Sequence, residues 1–275
     1  MDFVHKIEKR LEQGSFICVG LDPVYEKIPE ALRRENVSRE ETLFAFNKAM
    51  VEATASYASA FKPNSAFYEA EGDLGWRVLR ETSAYIHDRY PEIPVILDAK
   101  RADIDSTNEL YARAIFDELA MDALTVHPYM GEEALRPFLE RPDKGVIVLA
   151  RTSNPGAGEF QDIEAHGVPL YQRVAEQVAH SWNARGNCCL VVGATYPSEL
   201  AAVRNIVGEM NILVPGVGAQ GGDLQKTVEN GKASQGFGLI IAAARSIIYA
   251  STEDDYTKAA RTAAEDLNGR IASLA

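Results

Sequence analysis

Val95-Ile96-Leu97-Asp98-Ala99-Lys100-Arg101-Ala102-Asp103 passes from three apolar residues straight into a cluster of charge. The apolar part reads as a buried strand, and residues two apart along a strand share a face. On that spacing Asp98 and Lys100 project side by side where the strand leaves the interior, with Asp103 following on the loop. Charged side chains in such a place need partners or a task. Two readings are open from these residues alone: a structural ion pair, or a reactive site.

The same unit recurs outward from that stretch. Short apolar runs stand at Phe16 to Leu21, Ala58 to Phe61, Val95 to Ala99, Ala123 to Val126, Val146 to Ala150, Leu190 to Val192, Ile212 to Val214 and Leu239 to Ala242. Helical periodicity fills the intervals, for example at Glu40 to Thr54, Gly75 to Arg89, Thr107 to Leu119, Tyr171 to Arg185 and Pro197 to Val207. Eight strands alternating with helices predict a parallel α/β sheet, and the number eight favours closure into a (β/α)8 TIM barrel, a single domain over residues 1–275. A doubly wound open sheet is the alternative. It more often carries a Gly-rich fingerprint after its first strand, and Val19-Gly20-Leu21-Asp22-Pro23 is not one.

Barrel enzymes build their sites beyond the carboxyl ends of the strands. At those positions the chain has Asp22, then Lys62, then Asp98 with Lys100, then His127. The fifth run leads into Arg151-Thr152-Ser153-Asn154-Pro155-Gly156, the seventh into Pro215-Gly216-Val217-Gly218-Ala219-Gln220-Gly221-Gly222, and the eighth into Arg245. Charges scattered over a surface would not fall so regularly at strand ends.

Composition narrows the function classes. At 46% apolar and 25% charged residues the chain has an ordinary globular balance. A formal charge of −12 argues against nucleic acid or an anionic membrane as the main partner, while leaving room for a local cationic pocket. Cys18, Cys188 and Cys189 have neither metal-site nor disulfide-framework spacing, and read as inert buried thiols. Residues 1–14 alternate like an amphipathic helix and lack a secretory apolar core, and no apolar run approaches a bilayer span, so the expectation is a cytoplasmic protein.

Two constellations carry chemistry. Gly216, Gly218, Gly221 and Gly222 lie between a strand and the next helix, where backbone N–H groups can approach a phosphate closely. Arg245, after the eighth strand, offers a planar fork to the same anion, and these two loops are the usual phosphate site of a barrel. A tight turn plus a surface arginine is the plainer alternative. Lys62, Asp98, Lys100 and Asp103 form an alternating set of two cations and two anions. At an effective dielectric near 20 a pair about 4 Å apart interacts by roughly 4 kcal/mol, so the ammonium groups stay protonated beside their carboxylates. A held ammonium is a good general acid, and a carboxylate aimed at a substrate anion raises that anion's energy until its charge leaves. Together they suit decarboxylation followed by protonation of a carbanion. Two aspartates also suit Mg²⁺, but lysines so close already neutralise them. Thr152 and Ser153 serve either as turn residues or as hydrogen-bonding groups to a polar ring, Gln220 either bridges a phosphate or caps a helix, and His127 reads as a packed histidine. No Ser or Cys stands beside a base as a nucleophile would.

These residues resemble the orotidine 5'-phosphate decarboxylase family, in its longer-chain bacterial subgroup. The family signature Asp-x-Lys-x-x-Asp is matched by Asp98, Lys100 and Asp103. Gly20-Leu21-Asp22-Pro23, Phe61-Lys62-Pro63-Asn64, Thr152-Ser153-Asn154-Pro155-Gly156, Val192-Gly193-Ala194-Thr195 and the 215–222 loop look like the family's other segments, in order, from about residue 16 to 250. The resemblance implies decarboxylation of orotidine 5'-monophosphate to UMP in pyrimidine synthesis, by a barrel homodimer with no cofactor and no metal. It implies that Lys100 protonates C6, that Asp98 lies against the substrate carboxylate, and that Asp103 reaches in from the partner subunit. Lys62 would hold Asp98 and the ribose, Asp22 a ribose hydroxyl, Ser153 the pyrimidine edge, and Gln220, Arg245 and the backbone near Gly218 the phosphate. Thr107 is carried over as a ribose contact from the partner. Two departures stand out: Ala102 where the signature often has Gly, and the plain run Ile241-Ala242-Ala243-Ala244 before Arg245. A Mg²⁺-dependent sugar-phosphate decarboxylase or aldolase of the same barrel group is the alternative, and a non-catalytic nucleotide-binding barrel is a third. On length the expectation is a decarboxylase domain alone, without a fused phosphoribosyltransferase.

Overall fold

The computed structural model describes residues 1–217 and 221–275; Gly218 and Gln220, both expected at the phosphate, lie outside the described residues. The eight strands are β1 Ile17–Gly20, β2 Ala58–Lys62, β3 Ile96–Arg101, β4 Ala123–Val126, β5 Gly145–Arg151, β6 Cys188–Val192, β7 Ile212–Pro215 and β8 Leu239–Ala243. They pair in parallel in the order β2-β1-β8-β7-β6-β5-β4-β3. The remaining gap, between β2 and β3, is bridged at Phe61–Val95 and Asn64–Asp98, which closes the barrel. Strands covered on both faces read as largely apolar runs, which is why all eight are visible in the sequence. β6 is buried along its whole length, Cys188 and Cys189 included, and burial pushes the thiol of Cys188 up to about 12. The expectation of unreactive cysteines stands.

The helices follow the predicted stretches with informative differences. Arg39–Thr54 starts one residue early because Ser38 and Glu41 form a reciprocal capping box. The stretch expected as one helix over Thr107 to Leu119 is an α-helix, Asp105–Ala112, that widens into a π-helical segment, Arg113–Glu118. The stretch from Tyr171 behaves alike, with Leu170–Gln177 followed by a π-helical Val178–Trp182. Outside the expected stretches lie Gly131–Leu139, which contains Pro137, and an exposed hairpin pairing Glu164–Ala165 with Val168–Pro169. Among the described residues no helix is long and apolar enough to cross a membrane.

The amphipathic N-terminal segment is a helix, Phe3–Glu12, seated on the barrel end opposite the charged loops. Phe3 is buried, and a Cβ at Gly145 would collide with its ring at 2.2 Å. Arg10 donates to the carbonyls of Ala58 and Ala55, while Lys6 donates to Asp122 at 2.8 Å. These contacts seal the amino ends of the strands, so the open face is the one where the carboxyl ends emerge.

Candidate active site

A cleft of about 520 Å³ opens at the carboxyl ends of the strands, lined by Asp22, Lys62, Asp98, Lys100, Ser153 and Arg245 among others. They come from five different strand ends, with Asp98 and Lys100 sharing β3, so closure of the sheet converges them. Asp103 and Thr107 do not line it.

Lys62 ends β2, because Pro63 has no N–H to continue the ladder. The carbonyl of Pro63 instead accepts from Asp98 N–H at 2.9 Å, which fixes β3 against β2. Lys62 Nζ donates to Asp98 Oδ2 at 3.0 Å, and Lys100 Nζ donates to Oδ1 at 2.6 Å. Lys62 and Asp98 are nearly buried, with side chains 10% and 14% exposed, whereas Lys100 is 49% exposed and faces the cleft. Burial alone pushes the Asp98 carboxyl up, but Lys62 and Lys100 outweigh it and hold it well below the usual carboxylate range. Burial likewise disfavours the Lys62 ammonium, and Asp98 and Asp22 more than reverse that, leaving it firmly protonated. Asp22 is raised by its burial, against the pull of Lys62, and its Oδ1 accepts from Asn64 N–H at 3.1 Å.

The strand geometry behind the Asp98–Lys100 pair differs from simple alternation. β3 pairs with β4 at Ile96–Ala123 and Leu97–Leu124, then resumes only at Arg101–Val126. Asp98, Ala99 and Lys100 thus lie opposite the single residue Thr125, a bulge. Lys100 itself has φ +47°, a left-handed conformation that costs a residue with a Cβ about 1–2 kcal/mol. Side-by-side projection is therefore correct in outcome, but the cause is a bulge and not the two-residue period. Ala102 does not take positive φ, so a Cβ is accommodated where the signature often has Gly.

Asp103 does not join the charge set of its own chain. Its Oδ1 accepts from the N–H of Ile104 at 2.6 Å, its own N–H donates to Asn108 Oδ1, and it forms no ion pair among the described residues. The expected four-charge set is therefore three charges here, because the chain turns away after Ala102. His127 packs with its N–H on the carbonyl of Arg101 and does not line the cleft. Arg151 is buried beside Asp162 and over the ring of Tyr196, a loop anchor. Thr152 is tied to Gln161 and Asn154, which is the turn role, and all three line the cleft beside Ser153.

Close packing sets the loops around the opening. A Cβ at Gly193 would lie 2.7 Å from Ser153 Cβ, so only glycine lets β6 pass beneath that loop. A Cβ at Gly20 would lie 2.3 Å from Ala244 Cβ. Ala244 thus packs directly over Gly20 of β1, which is why position 20 carries no side chain. Arg245 begins the short helix Arg245–Ile248, is exposed, and forms no ion pair among the described residues.

Three supporting residues escaped the sequence reading. Thr125 is 1% exposed and its hydroxyl donates to Asp98 Oδ1 at 2.9 Å. Tyr68 donates to the carbonyl of Leu21, and Tyr249 accepts from Val24 N–H, so two phenols brace the loop carrying Asp22. Lone Thr and Tyr positions carry no spacing signal. Among the described residues no three His, Cys, Asp or Glu side chains gather as metal ligands.

Comparison with known proteins agrees over nearly the whole chain. Orotidine 5'-phosphate decarboxylase of Cellvibrio japonicus is 46% identical over 272 residues, covering 98% of each chain. Among solved structures, Leishmania donovani OMP decarboxylase superposes with a TM-score of 0.85 at 35% identity, covering 100% of this chain and 98% of that one. Leishmania donovani UMP synthase superposes with a TM-score of 0.88 at 38% identity, and this chain spans 56% of its length. The model of the Orotidine 5'-phosphate decarboxylase / HUMPS family matches residues 15–262, and the chain belongs to that family.

Proposed function

We propose that this chain decarboxylates orotidine 5'-monophosphate to UMP and CO2 in pyrimidine biosynthesis, with Lys100 as the proton donor. The observation that carries the reading is one carboxylate, Asp98, held ionised between two ammonium groups at 3.0 and 2.6 Å on the floor of the cleft. A substrate carboxylate brought against Asp98 is disfavoured in the ground state, and that cost falls away as CO2 departs. The C6–carboxylate bond breaks and its electron pair stays on C6. The Lys100 ammonium then gives C6 a proton, becomes an amine, and is reprotonated from solvent. Lys62 keeps Asp98 ionised and reaches the ribose with Asp22, while Ser153 meets the pyrimidine edge. Arg245 takes the phosphate, joined by Gln220 and the backbone at Gly218, and this remote grip offsets the repulsion at Asp98.

The reading needs no cofactor, since the proton comes from Lys100 and the electrons stay in the substrate. The Mg²⁺-dependent sugar-phosphate alternative is less favoured because both Asp98 oxygens already accept from lysine. Charged nucleotides do not cross membranes unaided, which supports a cytoplasmic setting. The working unit is a homodimer in which Asp103 and Thr107 complete the partner's site. Supporting this, both lie away from their own cleft, beside apolar side chains open to water: Ile104 57% and Leu110 67% exposed.

The test is ultraviolet loss of orotidine 5'-monophosphate with and without EDTA. Turnover unaffected by EDTA is expected; its absence from folded protein, or its loss with EDTA, overturns the reading. For the dimer, mixing inactive Asp103→Ala and Lys100→Ala chains should restore about a quarter of wild-type activity, since hybrids carry one intact site. No restoration after exchange overturns shared sites.

A further inference from the structure

We infer that Thr125 is a positioning residue for proton delivery, holding Lys100 in its left-handed backbone conformation through a hydroxyl shared between Lys100 N–H and Asp98. The inference rests on the reading of Lys100 as proton donor. Lys100 sits in the bulge, where its N–H has lost its place in the strand ladder. Thr125 Oγ1 is 3.0 Å from that N and 2.9 Å from Asp98 Oδ1. An amide N–H only donates and an ionised carboxylate only accepts, so the hydroxyl must accept from Lys100 and donate to Asp98. The same Asp98 oxygen takes the Lys100 ammonium at 2.6 Å. One buried hydroxyl therefore ties both ends of the lysine to one point.

The consequence appears when the proton moves. While Lys100 is an ammonium, Asp98 holds its tip. Once it has protonated C6 it is a neutral amine, and that attraction is gone. The Thr125 contact to the backbone is independent of the side-chain charge and persists, so the residue stays in its left-handed conformation and the amine returns to the same place. Threonine suits this task because a β-branched side chain is stiff about χ1 in a strand, and this one is 1% exposed. Valine at this position keeps the shape and leaves both the N–H and the carboxylate oxygen short of a partner.

The experiment compares Thr125→Val and Thr125→Ser with wild type and Lys100→Ala, measuring kcat and KM for orotidine 5'-monophosphate, Kd for UMP and the thermal midpoint. Thr125→Val is expected to lower kcat by about 10- to 100-fold, with KM and UMP affinity within about threefold of wild type. Thr125→Ser should recover kcat to within about threefold of wild type, because the hydroxyl is what matters. If Val fails to fold, Thr125→Ala carries the same expectation. Equal kcat for Val (or Ala) and wild type overturns the inference, as does parallel loss of kcat and UMP affinity, or a Ser variant as slow as Val. Failure of the underlying reading looks different: wild type is then inactive, or Lys100→Ala retains turnover.

Discussion

Asp98→Asn removes the one negative charge between two ammonium groups and keeps its volume. At an effective dielectric of about 20, a pair roughly 3 Å apart is worth about 5–6 kcal/mol before desolvation is counted. The two lysines do not contribute equally. Lys100 is 49% exposed, so solvent screens its contact with Asp98 and its loss adds less than about 1 kcal/mol. Lys62 is 10% exposed and cannot turn to water, which leaves an ammonium with only Asp22 near it. Leaving a buried charge without its partner costs about 3–5 kcal/mol, and we expect the variant to lose that much. For a chain of this size the midpoint should fall by about 10 °C. The pH profile carries a second signature. The folded-state pKa of Asp98 lies below its unfolded value, so its stabilisation is complete above about pH 4 and is lost as pH falls toward the folded value. That of Lys62 lies above its unfolded value, so its stabilisation is complete below about pH 10.4 and is lost as pH rises further. Thermal and urea melts of both proteins from about pH 3 to 11 should show the widest gap near neutrality, narrowing at both ends. A loss under about 1 kcal/mol, or a gap independent of pH, would refute a mutually neutralising set.

Lys100→Ala should abolish turnover while UMP affinity stays within a few-fold, read by steady-state kinetics and calorimetry; joint loss of both would make Lys100 structural. Arg245→Ala should raise KM strongly, by about tenfold or more, with a smaller effect on kcat, and an unchanged KM removes Arg245 from the phosphate. Gly20→Val places its side chain where Ala244 already sits, so it should lower the midpoint and raise KM together, since Ala244 precedes Arg245; wild-type values for both would contradict that packing.

The eight strands were legible because covering on both faces demands a largely apolar run, confined in β3 to the buried start before Asp98. Helices were less so. Gly131–Leu139 contains Pro137, which reads as a stop, and the π-helical ends at Arg113–Glu118 and Val178–Trp182 change the hydrogen-bond spacing without a signal in the apolar periodicity. Within the site, Asp22, Lys62, Asp98, Lys100, Ser153 and Arg245 were visible as polar residues at strand ends, and all line one cleft. Spacing places Asp103 in the charge set, the family resemblance places it in the partner's site, and within its own chain it stays apart from Lys62, Asp98 and Lys100. Its side chain instead accepts from the N–H of Ile104, a turn choice that six residues of sequence do not encode.

Sequence by itself determined the barrel, the face that carries the chemistry and the identity of the charged groups, because strand burial and strand-end charge are one-dimensional patterns. Only the tertiary structure decided how those groups are held. The bulge that turns Lys100 to φ +47°, the Thr125 hydroxyl that meets it from β4, and the clearance of Gly20 beneath Ala244 all join residues distant along the chain. Their spacing in sequence has no period to read, since it is set by which strands become neighbours when the barrel closes.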